Sequence, residues 1–592
     1  MERRDKIKKF LDMELTAVTE DFNKKFSAVA LSLLNENEEL FIGQFLKFDN
    51  GEMIVKFRAS RAFPRKGEYV QTMYLPNKYQ DYRRWEGTTY EDLFKSRLKG
   101  SEAVCIWQSK TIEEEFVLLG FRGIDLEFSQ YISQAPGAIL IFGPHTPPIE
   151  YLANLYRLCD DIYSENVSDI LDYPYSPCPT SSILITDNRP AKFILNQLQG
   201  SNVTILQGPP GTGKTQLIAE LCAKLCAEGK SILVTALTNR ALIEVANKSV
   251  LSEWLDKGRV FKTNLTIDEK HEIPNLMPLK QVMPLKGSVV LGTYYIISGF
   301  ASDIAGEDVF DIIIMDEASQ ALLPMFAASS KIGKTNLWVG DTAQLGPVVT
   351  INEDIVSKYG FNFLVNGLDT IVNHRQLPVY QLTKTYRLTQ RNADYTGFFY
   401  NGTLRSAKDS VLSSFSSLDK LLHKNGGPTL LLTDMEVGNA TPPFAMDLAT
   451  YIVFSILKEL PSTEIAVISC FRKTSRALQK AIALRLGLGN RVLIDTIARV
   501  QGLTTDITVF FIPNTSLIRS LEPRLFNVAT SRAKEHTIIV ADKDILNYSF
   551  MNKEVRQFLE KLNKESSMYV PNNLKNIHLI NDNQDLRQSN ES

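Results

Sequence analysis

Apolar residues recur along this chain with two different periods, and the places where the period changes divide it. Ile7, Phe10, Leu11, Leu15, Val18 and Phe22 share one helical face, so the chain is predicted to open with an amphipathic helix. The period then shortens. Segments around residues 40–48, 53–57, 69–74, 104–107 and 116–121 read as strands, with Asp49-Asn50-Gly51 as a hairpin turn between the first two. Past the Pro147-Pro148 stop, Ile149, Leu152, Tyr156, Cys159 and Ile162 fall on one face of a second helix. Helix, small antiparallel β-unit and helix make an accessory module over residues 1–175. The proline-rich residues 173–179 read as the linker leaving it.

From about residue 183 the pattern becomes short apolar runs alternating with helices. The runs at 231–236, 289–292, 311–315 and 336–339 predict βαβ units and a parallel sheet. A second series, at 429–432, 465–469, 492–495, 508–512 and 537–540, repeats that architecture without a glycine-rich loop of its own. The predicted division is therefore an accessory module (1–175), a first α/β lobe (176–378), a second (379–565) and a polar, loosely ordered tail (566–592). A chain of 592 residues has room for three or four such domains.

Composition changes this picture little. Hydrophobic residues make up 44% and charged residues 22%, as in ordinary globular chains, and the net charge is −2. No overall basic field advertises a nucleic-acid partner, so any such site must be a local groove. The basic start MERRDKIKKF is not followed by an apolar core of signal-peptide length. No apolar stretch is long enough to span a bilayer, and a cytoplasmic (or nuclear) protein without membrane contact is expected. The six cysteines, at 105, 159, 178, 222, 226 and 470, are scattered. Cys222 and Cys226 sit one helical turn apart with no two further ligands nearby, so buried thiols are expected and zinc is not.

The chemistry concentrates in QGPPGTGKT, residues 207–215, between an apolar strand and a helix. Gly208, Gly211 and Gly213 let the backbone curl so that successive N–H groups face an anion, with Pro209, Pro210 and Thr212 shaping the loop. The helix that follows adds its positive end. Lys214 can reach the outer phosphates of a nucleoside triphosphate, Thr215 can hold Mg²⁺, and Gln216 continues the site. A second apolar strand ends in Asp316-Glu317. Downstream of a phosphate loop, the first acid suits Mg²⁺ and the second suits the attacking water. A third ends in GDTAQLGPVV, residues 340–349, where Gln344 could contact the γ-phosphate and report it to the second lobe.

GPPGTGKT, TALTNRA (235–241), DEASQA (316–321), GDTAQLGPVV, KTYR (384–387), ARVQG (498–502) and NVATSRAK (527–534) occur in this order. Together they resemble the superfamily 1 helicases, and within them the up-frameshift-like group, over about residues 183–545. The resemblance implies two RecA-like lobes behind a helix–β-barrel–helix module. It implies that Arg387 and Arg532 are arginine fingers reaching the γ-phosphate from the second lobe. It also implies Gly502 at the nucleotide, and Thr238, Asn239, Thr293 and Thr496 at a single-stranded nucleic acid. Tyr294 and Tyr295 are open to two readings, base stacking or core packing. Arg58, Arg61, Arg65 and Lys66 crowd one turn of the β-unit, as a phosphate-facing patch or a solvated turn.

The chain departs from the group in places. The adenine-reading Gln upstream of the phosphate loop is replaced by Asn188, with Gln197 as a possible substitute, and Thr504 stands where Glu is frequent. QGLTxD resembles the RecD-like branch, but only some two dozen residues separate Phe471 from Thr496, too few for that branch's inserted barrel. The group's zinc domain is not visible, nor is a nuclease. The expected protein is a monomeric motor that uses ATP and Mg²⁺ to move along single-stranded RNA or DNA, 5′ to 3′. The alternative is a nucleic-acid-stimulated ATPase that remodels complexes without unwinding.

Overall fold

Asn50 and Gly51 both take positive φ, 49° and 78°, which closes the tight hairpin expected between the first two strands. That hairpin begins a closed antiparallel barrel of β1 (Phe41–Asp49), β2 (Glu52–Arg58), β3 (Tyr69–Tyr74), β4 (Lys99–Lys110), β5 (Phe116–Arg122) and β6 (Ile139–Pro144), in the order β1-β2-β5-β4-β3-β6. Closure leaves no open sheet edge. Phe45, Phe57, Phe121 and Phe142 fill the barrel, the last two stacked at 4.9 Å. The computed structural model describes residues 2–76, 85, 87–110, 115–174, 181–304, 309–408, 418–486, 491–500, 502–514 and 517–573. Most of the expected linker, and the expected tail from residue 574, lie outside the described residues.

In sequence the barrel lies between the first helix, Glu2–Phe22, and the helices Ile149–Leu158 and Glu165–Leu171. Ile7, Phe10, Leu11 and Val18 are buried as their spacing predicts, in one core with Tyr151, Leu155, Tyr294, Leu323 and Phe326. The accessory helices therefore share their core with the first lobe. Ile162 differs from expectation: its helix stops at Leu158, so the side chain lies in the following turn and is 66% exposed. Buried Arg4 fixes the helix ends, donating to the Asp172 carboxylate, the Ser168 hydroxyl and the carbonyls of Cys159 and Asp161. The barrel itself docks on the first lobe: Gly123 N–H donates to Asp268 at 2.9 Å and Ile267 N–H to the Ile124 carbonyl at 2.8 Å.

The first lobe is a nine-stranded parallel sheet with helices on both faces. Its strands are β7 (Ile183–Ile185), β8 (Val203–Gln207), β9 (Ser231–Ala236), β10 (Val260–Thr263), β11 (Met277–Leu279), β12 (Ser288–Thr293), β13 (Phe310–Met315), β14 (Gly333–Gly340) and β15 (Val379–Leu382). They run in the order β11-β10-β12-β9-β13-β14-β8-β15-β7. Every residue of β9 is buried, as a strand covered on both faces requires. Because β15 pairs with β8 and β7, the boundary drawn at 378/379 moves beyond Leu382.

A two-stranded pair, β16 (Lys384–Thr385) and β17 (Arg405–Ser406), leads into the second lobe. That lobe is a six-stranded parallel sheet of β18 (Gly427–Thr433), β19 (Ile465–Ser469), β20 (Val492–Thr496), β21 (Thr505–Ile512), β22 (Ala533–Asp542) and β23 (Ser567–Tyr569), ordered β20-β19-β21-β22-β18-β23. The expected tail therefore begins too early. Residues 567–569 form the edge strand against β18.

Candidate functional site

Three strands of the first lobe, β8, β13 and β14, end side by side and carry the phosphate loop, the acid pair and the Gln344 loop. Gly208 N–H donates to the Gly340 carbonyl at 3.0 Å, sewing the first of these loops to the third. Gly211 and Gly213 take φ of 72° and 80°, and Gly213 caps the helix Lys214–Ala227. A β-carbon on Gly208 would fall 2.4 Å from the Lys214 side chain, so the missing side chain is what lets Lys214 fold back over the loop. There the Lys214 ammonium donates to the Gly208 carbonyl, and Thr212 Oγ1 donates to Pro209 at 2.8 Å. The Thr215 hydroxyl has no protein partner among the described residues. Gln216 departs from the expected nucleotide contact: its amide donates to Glu220 at 3.0 Å, along its own helix.

Asp316 is buried at the end of β13, and its carboxylate accepts from Glu317 N–H at 2.8 Å. Glu317 takes φ of 54°, in the left-handed region that residues other than glycine rarely adopt. One Glu317 carboxylate oxygen is buried without a partner. Burial, then Asp316 and Glu244, pushes the Glu317 carboxyl up to about 8. Burial likewise raises Asp316 and Asp341, against the pull of Lys214. Gly502, expected at the nucleotide, lies by this acid end: a β-carbon there would sit 3.7 Å from Glu317 Oε1.

The second lobe closes the site with the KTYR segment. Thr385 Oγ1 donates to the Pro210 carbonyl at 2.9 Å and Tyr386 N–H to Gly211 at 2.8 Å. A β-carbon on Gly211 would strike Arg387 and Thr385 at 2.3 and 2.7 Å, so glycine there permits the two lobes to touch. Arg387 is half-buried, and its charge is disfavoured chiefly by burial. Arg532 is buried and, among the described residues, donates only to the carbonyls of Val528 and Leu503, at 3.0 and 3.5 Å. Its pKa is lowered first by burial and then by Arg387. Lys214, Arg387 and Arg532 thus converge, and none forms an ion pair among the described residues. Three cations without a direct ion-pair partner among the described residues, set around a backbone cradle, suit a polyanion.

Several residues of the site escape sequence reasoning. Asp341 does more than turn the chain: its Oδ2 accepts from Gln344 Nε2 at 2.6 Å and from the Tyr400 hydroxyl at 2.7 Å. Asn527 Nδ2 in turn donates to Tyr400 at 2.9 Å and to the Ala343 carbonyl at 2.7 Å. Tyr386 is 60% exposed, its ring 3.8 Å from where a Gly213 β-carbon would sit. Asn188 is exposed just before the helix Pro190–Leu198. Gln197 is already engaged, accepting from the Tyr380 hydroxyl at 2.7 Å.

A second feature is a cleft of about 2040 Å³ between the barrel and both lobes. Thr238, Asn239 and Thr293 line it, with the Thr238 hydroxyl capping the helix Asn239–Ala246. Thr496 is buried beside it, next to lining residue Asp495. The two tyrosines separate: Tyr294 is buried and donates to the Asp316 carbonyl at 2.5 Å, whereas Tyr295 lines the cleft. Arg472, Ser475, Arg476 and Gln479 also line it, spaced three, four and seven apart along one face of the helix Arg472–Leu486. Of the basic turn in the barrel, Arg65 and Lys66 reach the cleft, and Arg65 pairs with Glu38 at 2.6 Å.

Among the described residues no group of three or more His, Cys, Asp or Glu is placed to hold a metal, and no helix is long and apolar enough to cross a membrane. AAA-domain families match twice, over residues 192–350 and 366–544. The "DNA replication ATP-dependent helicase/nuclease DNA2" of Gallus gallus is 27% identical over 398 residues, covering 64% of this chain and 38% of that protein. The Saccharomyces cerevisiae protein of that name is 24% identical over 460 residues, covering 70% and 29%. The chain thus spans well under half the length of these relatives. An arterivirus nonstructural protein 10 helicase structure aligns over 81% of this chain and 77% of its own, at 12% identity and a TM-score of 0.35.

Proposed function

We propose that this chain, a superfamily 1 helicase by its paired AAA domains and its relatives, is an ATP-driven motor that moves along a single nucleic-acid strand held in the cleft. The observation that carries this reading is the convergence, between two parallel-sheet lobes, of three unpaired cations with the buried acids Asp316 and Glu317. A nucleoside triphosphate satisfies both sets at once. The N–H groups of residues 208–213, with Lys214, would take the phosphates, and Thr215 and Asp316 would hold Mg²⁺, which neutralises charge between the outer phosphates. Glu317 would orient and deprotonate the attacking water, and Gln344 would sense the γ-phosphate. Arg387 and Arg532 would stabilise the charge that develops on the transferred phosphoryl group.

The strand would run past Thr238, Asn239 and Thr293 on the first lobe and the Arg472–Gln479 face on the second. Opening and closing of the lobes with each nucleotide would shift those two grips relative to each other. Support for the up-frameshift-like group within the superfamily comes from layout. The barrel and its helices precede the phosphate loop, whereas between Phe471 and Thr496 the described residues form one helix and a strand. A 5′-to-3′ direction is proposed on that resemblance. The relatives' names favour DNA as the strand.

Wild-type ATPase with RNA and with DNA single strands, run beside strand displacement, tests the reading. Stimulation and displacement support a helicase. Stimulation without displacement favours the remodelling ATPase, and no ATP hydrolysis overturns the motor. Single-strand binding is expected to fall steeply with salt and to ignore base sequence, because the lining groups suit phosphates. Arg472→Ala and Arg476→Ala should each flatten the logarithmic salt slope by about 0.7. An unchanged slope in both removes that helix from the interface.

Nucleotide selectivity should be weak. Asn188 is short and exposed and Gln197 is occupied, so what faces the base is the Tyr386 ring, which stacks on any purine. GTP is expected to compete with ATP within about tenfold, since one amide contact is worth no more. Rejection of GTP by more than about a hundredfold would mean a base-reading group elsewhere.

A further inference from the structure

The Asp341 carboxylate is buried between the lobes with no cation bonded to it, yet it is shared. Its Oδ2 takes one hydrogen bond from Gln344 of its own loop and one from Tyr400 of the second lobe. The Tyr400 hydroxyl, donating to Asp341, is free to accept, and accepts from Asn527. Asn527 is fully buried in the helix Pro523–Thr530, whose Val528 carbonyl accepts from Arg532 Nε. The side chains of Gln344, Asp341, Tyr400 and Asn527 form one uninterrupted buried chain that ends one helical turn from Arg532. Asn527 also donates to the Ala343 carbonyl, so the second lobe reads the Gln344 loop at two points.

We infer that Tyr400 is a positioning residue which, through Asp341 and Asn527, links Gln344 to the placement of Arg532. The physical reason is the shared acceptor. The Gln344 amide has two protons and Asp341 holds one of them, so Gln344 reaches a γ-phosphate oxygen with the other by turning about that bond, and occupation of the site reorients the donor that Asp341 shares with Tyr400. At a buried shared acceptor, a reoriented and weaker Gln344 bond leaves more of the carboxylate charge to the Tyr400 bond, which strengthens. A tightened Tyr400 pulls on Asn527 and, through it, on the helix end that carries Arg532. Burial and the neighbouring carboxylate raise the Tyr400 phenol well above its ordinary range, so the proton stays on Tyr400 and the hydroxyl remains the donor. Arg532 itself has only backbone carbonyls to fix it, so its position depends on that helix.

This inference rests on the reading of the site as an ATPase, and the test separates the two. Tyr400→Phe removes one hydroxyl and keeps the ring. ATP turnover with saturating single strand should fall about tenfold, the scale of one hydrogen bond to a charged group, with nucleotide Kd changed less than about twofold. Asn527→Ser should show the same split, and it serves as the second probe if either protein melts early. Combined with Arg532→Ala, Tyr400→Phe should add nothing further, because its effect passes through that arginine. Full turnover in Tyr400→Phe, or losses that simply multiply in the double variant, overturns the relay. Absence of hydrolysis in the wild type overturns the ATPase reading instead.

Discussion

Glu317→Gln is expected to bind ATP as the wild type does and to lose turnover by at least about a hundredfold, the scale of a positioned base. The exchange keeps shape and hydrogen-bonding reach but removes a carboxylate whose environment makes it basic enough for the task. Burial beside Asp316 and Glu244 raises the Glu317 carboxyl to about 8, well above an ordinary glutamate. The base acts only when unprotonated, and the unprotonated fraction grows as pH rises through that value. kcat/KM for ATP should therefore climb with pH through about 8 in the wild type. The same limb should be missing from Glu317→Gln. Lys214→Ala should fail differently, by weakening nucleotide binding itself, since that ammonium lies over the phosphate cradle. Steady-state kinetics with a nucleotide-binding titration distinguishes the two. Near-normal hydrolysis in Glu317→Gln would remove Glu317 from the chemistry.

What the sequence made legible is what the local backbone encodes. Gly208 is needed because the returning Lys214 side chain leaves no room for a β-carbon, and Gly211 and Gly213 because the turn takes positive φ there, a need visible in nine consecutive letters. The antiparallel β-unit could be read from its alternation and from Asn50-Gly51, whose positive φ values favour those residue types, whereas its closure into a barrel was implied by the resemblance and its sixth strand, Ile139–Pro144, was not read. Long-range pairings leave no such trace. Asp341 and Tyr400 meet across 59 positions and Asn527 and Tyr400 across 127, and nothing in the spacing of either pair announces it. Tyr294 and Tyr295 were indistinguishable by composition. Consecutive residues on one helix face apart, and the fold sends one under Asp316 and the other into the cleft. Strands of three residues, such as β11 and β23, are too short to carry a period, which is why the second lobe was ended before its edge strand. Ile162 misled in the opposite sense, continuing a helical spacing past the point where the helix had stopped.

Arg532→Ala should lower kcat by at least about tenfold, and arginine fingers in phosphoryl transfer reach about 10³–10⁵. Arg532 is buried, among the described residues only backbone carbonyls accept its donors, and the charge that bears on it most is another guanidinium, Arg387. Holding an unpaired guanidinium in such a place disfavours the ligand-free fold, so its removal should leave thermal stability unchanged or raised. An arginine present for structure would give the opposite sign. Its gain arrives only when phosphoryl oxygens carry growing negative charge, so the loss should fall on kcat and leave nucleotide affinity within a few-fold. Arg532→Lys keeps the charge but not the planar fork, and should recover only part of the rate. Arg387→Ala, at a half-buried position against Gly211, should show the same split. Melting temperature, kcat and nucleotide Kd on the three variants decide the matter. Full kcat in both alanine variants, or a clear loss of stability with kcat intact, returns these arginines to structural roles.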